Sequence, residues 1–154
     1  MQLGDFLDFD AITSRLSGGN KKSLLQQLAN LAAQQLGSAP AEILATVTER
    51  EQLGSTGFGH GVAIPHGKIE GLSRIYCLFA RLSEPIDYKA IDGKPVDLVF
   101  LLLSPPDAGV EHLKALAAIS RVTRHLPTLE KMRGARSRDA LAAVLMGADE
   151  RDAA

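Results

Sequence analysis

Two stretches of this chain, residues 75–82 and 96–103, are apolar at nearly every position, and they constrain its fold more than any other feature. A strand with one wet face alternates apolar and polar side chains. One that is apolar on consecutive positions has to be covered on both faces. Ile75-Tyr76-Cys77-Leu78-Phe79-Ala80-Arg81-Leu82 and Val96-Asp97-Leu98-Val99-Phe100-Leu101-Leu102-Leu103 both have strand length and turn chemistry around them. Asp92-Gly93 between the two marks a tight turn, and Pro105-Pro106 ends the second.

The cover comes from segments with helical spacing. Over residues 20–36, Leu24, Leu25, Leu28, Leu31, Ala32 and Leu36 share a face, with Asn20 placed to cap the start and Gly37 to end the helix. A second helix opens near Ser38 or Ala39, with Pro40 in its first turn and Ile43, Leu44 and Val47 on one side. Residues 49–61 carry Gly54, Gly57, Gly59 and Gly61 and are expected to be irregular. Residues 110–126 predict a helix with Leu113, Leu116, Ala117, Ser120 and Val122 turned inward. A last helix is expected over 137–146, with Ser137 or Arg136 near its cap and Gly147 at its end. Helices before and after the strands imply a single-domain α/β three-layer sandwich, a mixed β-sheet flanked by helices on both faces. The expected domain is 1–147, followed by a small polar tail, 148–154, expected to be mobile.

Bulk properties exclude several partner classes. A net charge of -1 gives no general attraction to nucleic acid or to an anionic membrane surface. Cys77 is the only cysteine, so no internal disulfide forms, and its apolar neighbours predict a buried thiol. No apolar run approaches the roughly 20 residues of a membrane-spanning helix, and the first residues lack a basic signal-peptide start. The expected setting is a reducing cytoplasm.

The chemistry concentrates around Gly61-Val62-Ala63-Ile64-Pro65-His66-Gly67. Pro65 fixes its own φ and biases Ile64 towards extended backbone, while Gly67 lets the chain turn without a Cβ in the way. An imidazole is thereby held at the open end of a buried extended segment, as a nucleophile requires. Two further features can meet it. The segment 50–56 supplies the Arg50 guanidinium, Glu51, and the hydroxyls of Ser55 and Thr56. His112 stands at the start of the 110–126 helix, where free N–H groups and the positive end of the dipole gather. Such a set suits a dianionic group and phosphoryl transfer, which depends mostly on positioning and charge stabilisation. Plainer readings exist for each residue. His66 can end a strand with its ring on a carbonyl, Arg50 can pair with Glu49 or Glu51 at the surface, and Ser55-Thr56 can be ordinary loop hydroxyls. The run Gly18-Gly19-Asn20-Lys21-Lys22-Ser23 lacks phosphate-loop spacing and reads as a helix entry, and His60 with His66 lacks metal-ligand geometry.

Taken together, Gly54-Ser55-Thr56, the Gly61-to-Gly67 run, Ala90-Ile91-Asp92-Gly93-Lys94-Pro95-Val96-Asp97-Leu98-Val99-Phe100 and Glu111-His112-Leu113 resemble the signature of the enzyme IIA domains of the bacterial phosphotransferase system, fructose/mannitol class. Within that class the chain is most similar to the nitrogen-regulatory enzyme IIA. The resemblance implies a phosphocarrier whose His66 accepts a phosphoryl group, on Nε2 as in other members, from the phosphohistidine of an HPr-like protein. That donor is itself charged from phosphoenolpyruvate by an enzyme I. Arg50 matches the family's active-site arginine, His112 its second active-site histidine, and Ser55 and Thr56 its hydroxyl pair supporting the phosphoryl group. No cofactor and no metal are implied. The implied partners are the HPr-like donor and regulatory target proteins, with no nucleic acid and no membrane insertion, and with self-association left open. The alternatives are a sugar-specific enzyme IIA that passes the group to a fructose- or mannitol-class IIB domain, and a binding module that no longer undergoes transfer. His60 departs from the family pattern, where a smaller or amide residue is expected.

Overall fold

The two apolar runs lie antiparallel at the centre of one six-stranded mixed sheet, and their alternate side chains feed two separate cores. The computed structural model describes residues 1–153. The runs are strands β5 (Tyr76–Ile86) and β6 (Val96–Ser104). Cys77 and Phe79 of β5, with Leu98, Phe100 and Leu102 of β6, face one core. Leu78, Ala80 and Leu82, with Val99, Leu101 and Leu103, face the other. This division is the reason for consecutive apolar positions, since neither face of the central pair meets water.

On the second core lie α1 (Lys21–Leu36) and α2 (Pro40–Gln52). Asn20 caps α1 by accepting from Ser23 N, and Gly37 closes it in the left-handed region at φ 68. On the first core lie α3 (Gly109–Thr123), α4 (Leu126–Gly134) and α5 (Arg138–Ala153), together with the amino-terminal turn around Leu3. Helices therefore cover both faces of the sheet, as the strand composition requires, and the sheet order is β1 (Thr13–Leu16), β5, β6, β3 (Val62–Ala63), β2 (Gly57–Gly59), with β4 (His66–Lys68) also on β6.

Several elements differ from the sequence expectation. The short strand β1 (Thr13–Leu16), parallel to β5, has too few apolar residues to stand out. The stretch 49–61 is not irregular throughout: α2 continues to Gln52, and β2 (Gly57–Gly59) pairs antiparallel with β3 (Val62–Ala63). Their connection is His60-Gly61, both at positive φ (56 and 79), the backbone of a two-residue hairpin turn. The helix expected over 110–126 ends at Thr123, and α4 begins afresh with Pro127 in its first turn, where a missing N–H costs nothing. The inner stripe of α3 is His112, Ala115, Ala118, Ile119 and Val122, so Leu113 points outward, 65% exposed, and Ala117 is exposed as well. α5 does not stop at Gly147 but runs through it, because Ala148 is buried and Asp149 accepts from the Leu3 and Gly4 amides. The expected boundary at 147 thus falls inside a helix. Ala154, at the end of the expected tail, lies outside the described residues.

Residues 62–68 would be one strand beside β6 but for Pro65. β3 pairs with Leu98 and Val99, and β4 (His66–Lys68) with Leu102, Leu103 and Ser104, both parallel. Pro65 still accepts from Leu102 N at 3.0 Å, so the proline interrupts the donor ladder without detaching the chain. Beyond it, Gly67 packs against α2 so closely that an added Cβ would lie 2.7 Å from Thr46 Cγ2. Gly67→Ala is therefore expected to push α2 away from β4 and to cost about 1–3 kcal/mol, the usual range for overpacking, read from urea unfolding. A variant as stable as the wild type would show that this approach of helix and strand is not tight.

Candidate functional site

Three elements converge where β4 begins. β4 supplies His66, the last turns of α2 supply Thr46, Glu49 and Arg50 with Leu53 just after them at the C-cap, and the first turn of α3 supplies His112. With Gly67 and Lys68 they line an open cleft of about 340 Å³. The expected meeting of Arg50, His66 and His112 is therefore present in the fold.

His66 follows four buried residues, Val62 to Pro65, and is itself half-buried. Its Nδ1 lies 2.8 Å from the Ile64 carbonyl oxygen. A carbonyl can only accept, so Nδ1 carries the proton and the lone pair resides on Nε2. Being satisfied by a carbonyl and being nucleophilic are thus not alternatives here: the first sets up the second. Burial lowers the His66 pKa from its ordinary value, helped by the Arg50 charge and opposed by the Ile64 hydrogen bond and Glu51. The ring is neutral at pH 7.

His112 is 9% exposed, and its ring centroid lies 5.4 Å from that of His66 at an interplanar angle of 52°. Its Nδ1 is 2.6 Å from Ser104 Oγ at the end of β6. Burial, then the neighbouring charges of His66 and Lys68, push its pKa down to about 4. Sequence reasoning passed over Ser104 and Lys68. The signals were there: a polar residue closing an apolar strand just before Pro105, and a lysine two residues after His66 on the same strand.

A histidine held neutral by burial makes stability depend on pH. Between about 6.5 and the folded value near 4 the unfolded chain binds more protons, so stability is complete above pH 6.5 and falls as pH drops through that window. The expected loss attributable to His112 is at most about 3 kcal/mol. Urea unfolding across this range should give a steeper decline for the wild type than for His112→Gln. Equal slopes would remove His112 as the cause.

Arg50 sits on the last turn of α2, with Nη1 donating to the Gly54 carbonyl at 2.9 Å. That bond holds the guanidinium over the loop following the helix. The surface pairing with Glu49 or Glu51 does not describe it, because Glu51 turns inward to Lys21, 2.8 Å away. Ser55 and Thr56 do not line the cleft, which corrects their expected place beside the phosphoryl group. Ser55 Oγ accepts from Gly57 N at 3.1 Å and lies near the Tyr88 carbonyl. Thr56, buried, gives its hydroxyl to Glu51 and stands 3.1 Å from Tyr88 OH. These two side chains shape the loop that meets Arg50 and leave the cleft to others. His60 also lies outside the cleft. Its amide donates to Asp92 and its carbonyl accepts from Arg133, so it serves the hairpin turn.

Leu53 is 83% exposed at the cleft edge, and Val110 and Leu113 are each 65% exposed on the turns that carry His112. No described helix is long and apolar enough to cross a membrane. Among the described residues no cluster of three or more His, Cys, Asp or Glu side chains could hold a metal ion.

Comparison with known proteins places the chain in a family. The family model for the phosphoenolpyruvate-dependent sugar phosphotransferase system EIIA 2 matches residues 5–147. The chain is 46% identical over 145 residues to a nitrogen regulatory protein of Bradyrhizobium diazoefficiens, covering 94% of this chain and 95% of that one. It is 42% identical to a nitrogen regulatory protein of Pseudomonas aeruginosa, over 80% of this chain and 81% of the other. Among solved structures, the nitrogen regulatory protein IIA-Ntr from Neisseria meningitidis superposes with a TM-score of 0.86 at 34% identity, covering 93% of this chain and 98% of that one.

Proposed function

Because this chain belongs to the EIIA 2 family of the phosphoenolpyruvate-dependent sugar phosphotransferase system, we propose that it is a cytoplasmic phosphocarrier of the nitrogen-regulatory kind, charged on His66 by an HPr-like phosphohistidine protein and controlling target proteins through its phosphorylation state. The observation that carries this reading is the His66 ring: Nδ1–H is tied to the Ile64 carbonyl and Nε2 is left with its lone pair beside Arg50 and His112. The N–P bond of the donor breaks with its electron pair returning to the donor nitrogen, and a new N–P bond forms from His66 Nε2. No proton has to leave His66, whose Nδ1–H stays on Ile64. Arg50 balances the phosphoryl oxygens, and His112 hydrogen-bonds and orients them.

The reaction needs a protein, not a small molecule, to reach the cleft. Its openness and the exposed Leu53 at its edge favour that, as do the exposed Val110 and Leu113 on the helix that carries His112, since exposed apolar side chains suit protein contact. Full-length similarity to nitrogen regulatory proteins favours a regulatory output over handing the group to a sugar-specific domain.

The test is to incubate the purified chain with phosphoenolpyruvate, enzyme I and an HPr-like protein. The expected result is acid-labile phosphate on the chain that depends on all three. Absence of label from a folded protein would overturn the reading. Reconstitution of sugar phosphorylation with a fructose- or mannitol-class IIB domain would replace the regulatory output with a sugar-specific one.

A further inference from the structure

His112 can serve the phosphoryl group in only one of its neutral forms, and the residue that selects the form is Ser104. The Ser104 side chain is fully buried at the end of β6, and among the described residues its hydroxyl has one partner, His112 Nδ1 at 2.6 Å. Two arrangements satisfy that contact. If His112 carried its proton on Nδ1, Ser104 would accept it, and the hydroxyl proton would be stranded in the interior. If Ser104 donates, that proton is used and only oxygen lone pairs stay idle, which costs less than an orphaned donor. The second arrangement puts the imidazole proton on Nε2.

The cleft favours the same choice. Nε2 of His66 bears a lone pair, because its Nδ1–H is committed to Ile64, and the two rings are 5.4 Å apart. A second lone pair from His112 facing the cleft would repel both that nitrogen and incoming phosphoryl oxygens, whereas an N–H attracts them. Since burial pushes the His112 pKa down to about 4, the ring is neutral near pH 7 and its tautomer is the remaining variable.

Ser104 is itself rigidly placed. It pairs with Lys68 of β4, and its carbonyl accepts from Ile69 N at 2.8 Å. His112 is anchored on α3 by its amide to Ala108 O, also at 2.8 Å. The hydroxyl therefore links the strand pair that carries His66 to the helix that carries His112.

We propose that Ser104 is a positioning residue that donates its hydroxyl proton to His112 Nδ1 and so holds His112 as the Nε2–H tautomer, a neutral hydrogen-bond donor to the phosphoryl group. This rests on the phosphocarrier reading for its consequence in transfer, but not for the tautomer itself. The experiment combines long-range 1H–15N correlation of the imidazoles in 15N-labelled protein with transfer rates from an HPr-like protein phosphorylated by phosphoenolpyruvate and enzyme I. In the wild type, His112 should show Nε2–H and an unprotonated Nδ1. In Ser104→Ala the proton should spread to Nδ1, with transfer slowed about tenfold while His66 keeps its own tautomer. Ser104→Thr, which retains the hydroxyl, should restore both. Should Ser104→Ala not fold, Ser104→Cys, with its weak donor, gives the same two readouts. A wild-type proton on Nδ1, or an unchanged tautomer in a slowed Ser104→Ala, would overturn the proposal; so would an unchanged rate. If the wild type accepts no phosphoryl group at all, the phosphocarrier reading fails, while the imidazole spectra still decide on the Ser104–His112 bond.

Discussion

Replacing His66 by alanine is expected to abolish acid-labile phosphate on this chain, with loss of rate exceeding about a thousandfold, because the variant lacks the nitrogen that forms the bond. No neighbour can take over. Nδ1 of His112 is occupied by Ser104, the Arg50 guanidinium has donors and no acceptor lone pair, and Cys77 is fully buried with its thiol pKa pushed up by desolvation. The fold should survive. His66 is half-buried, its backbone remains paired with Leu102, and the side chain gives up one hydrogen bond, to Ile64. A stability change of about 1 kcal/mol or less follows from that single bond. Labelling from an HPr-like donor and urea unfolding of the same preparations measure both quantities. Equal label on the wild type and a folded His66→Ala would take His66 out of the mechanism.

The largest effect on stability is expected at Glu51, a residue that looks in sequence like one of several surface charges. Its carboxylate accepts from Lys21 Nζ at 2.8 Å, Tyr88 OH at 2.9 Å and Thr56 N at 3.2 Å, and from the Thr56 hydroxyl. Lys21 also lies 4.3 Å from the Tyr88 ring centroid. Tyr88 and Thr56 are buried, and their hydroxyls, 3.1 Å apart, can satisfy only one of their two protons between them, so truncation leaves the Thr56 amide and one hydroxyl proton without an acceptor. Burial raises the Glu51 pKa, but hydrogen bonds from Lys21, Thr56 and Tyr88 outweigh it and hold the carboxyl below its ordinary value. Its contribution is therefore complete above about pH 4.5 and is lost as pH falls through the lower folded value. Glu51→Ala is expected to cost about 3–5 kcal/mol at pH 7, as for other broken buried pairs, and Glu51→Gln less. Urea midpoints at pH 7 measure this. A cost for Glu51→Ala under about 1 kcal/mol would show the cluster to be decorative. Arg50 precedes Glu51 on the same helical turn and donates to Gly54 in the loop that Glu51 secures through Thr56. Loss of the cluster should therefore slow transfer in whatever fraction remains folded.

Much of this was legible beforehand, for identifiable reasons. β5 and β6 announce themselves because they are buried on both faces, and α1 because Asn20 and Gly37 are chemically suited to its ends. β1, β2 and β3 are two to four residues long and owe their pairing to neighbours distant in sequence, so local pattern says little about them. The rotation of α3 was misjudged for a related reason. Hydropathy favours turning Leu113 inward, but His112 takes the inner side, where it meets the buried Ser104 hydroxyl, and Leu113 is left exposed. The family resemblance, with their nearness in sequence to Arg50, suggests that Ser55 and Thr56 support the phosphoryl group. Proximity along a chain does not specify direction, and their hydroxyls are drawn to the Tyr88 carbonyl and to Glu51.

What the sequence alone determined is chemistry carried by short segments: the proline that presents His66, the two-faced strands, the helix caps and the motif that identifies the family. These depend on local backbone preference and side-chain type, which are written in consecutive residues. Tertiary structure alone decided which nitrogen of His66 bears the proton, that Glu51 is buried while Arg50 beside it reaches the cleft, and that Ser104 and His112 meet. Those outcomes follow from groups brought together across the fold, where removal from water forces each buried donor to find an acceptor.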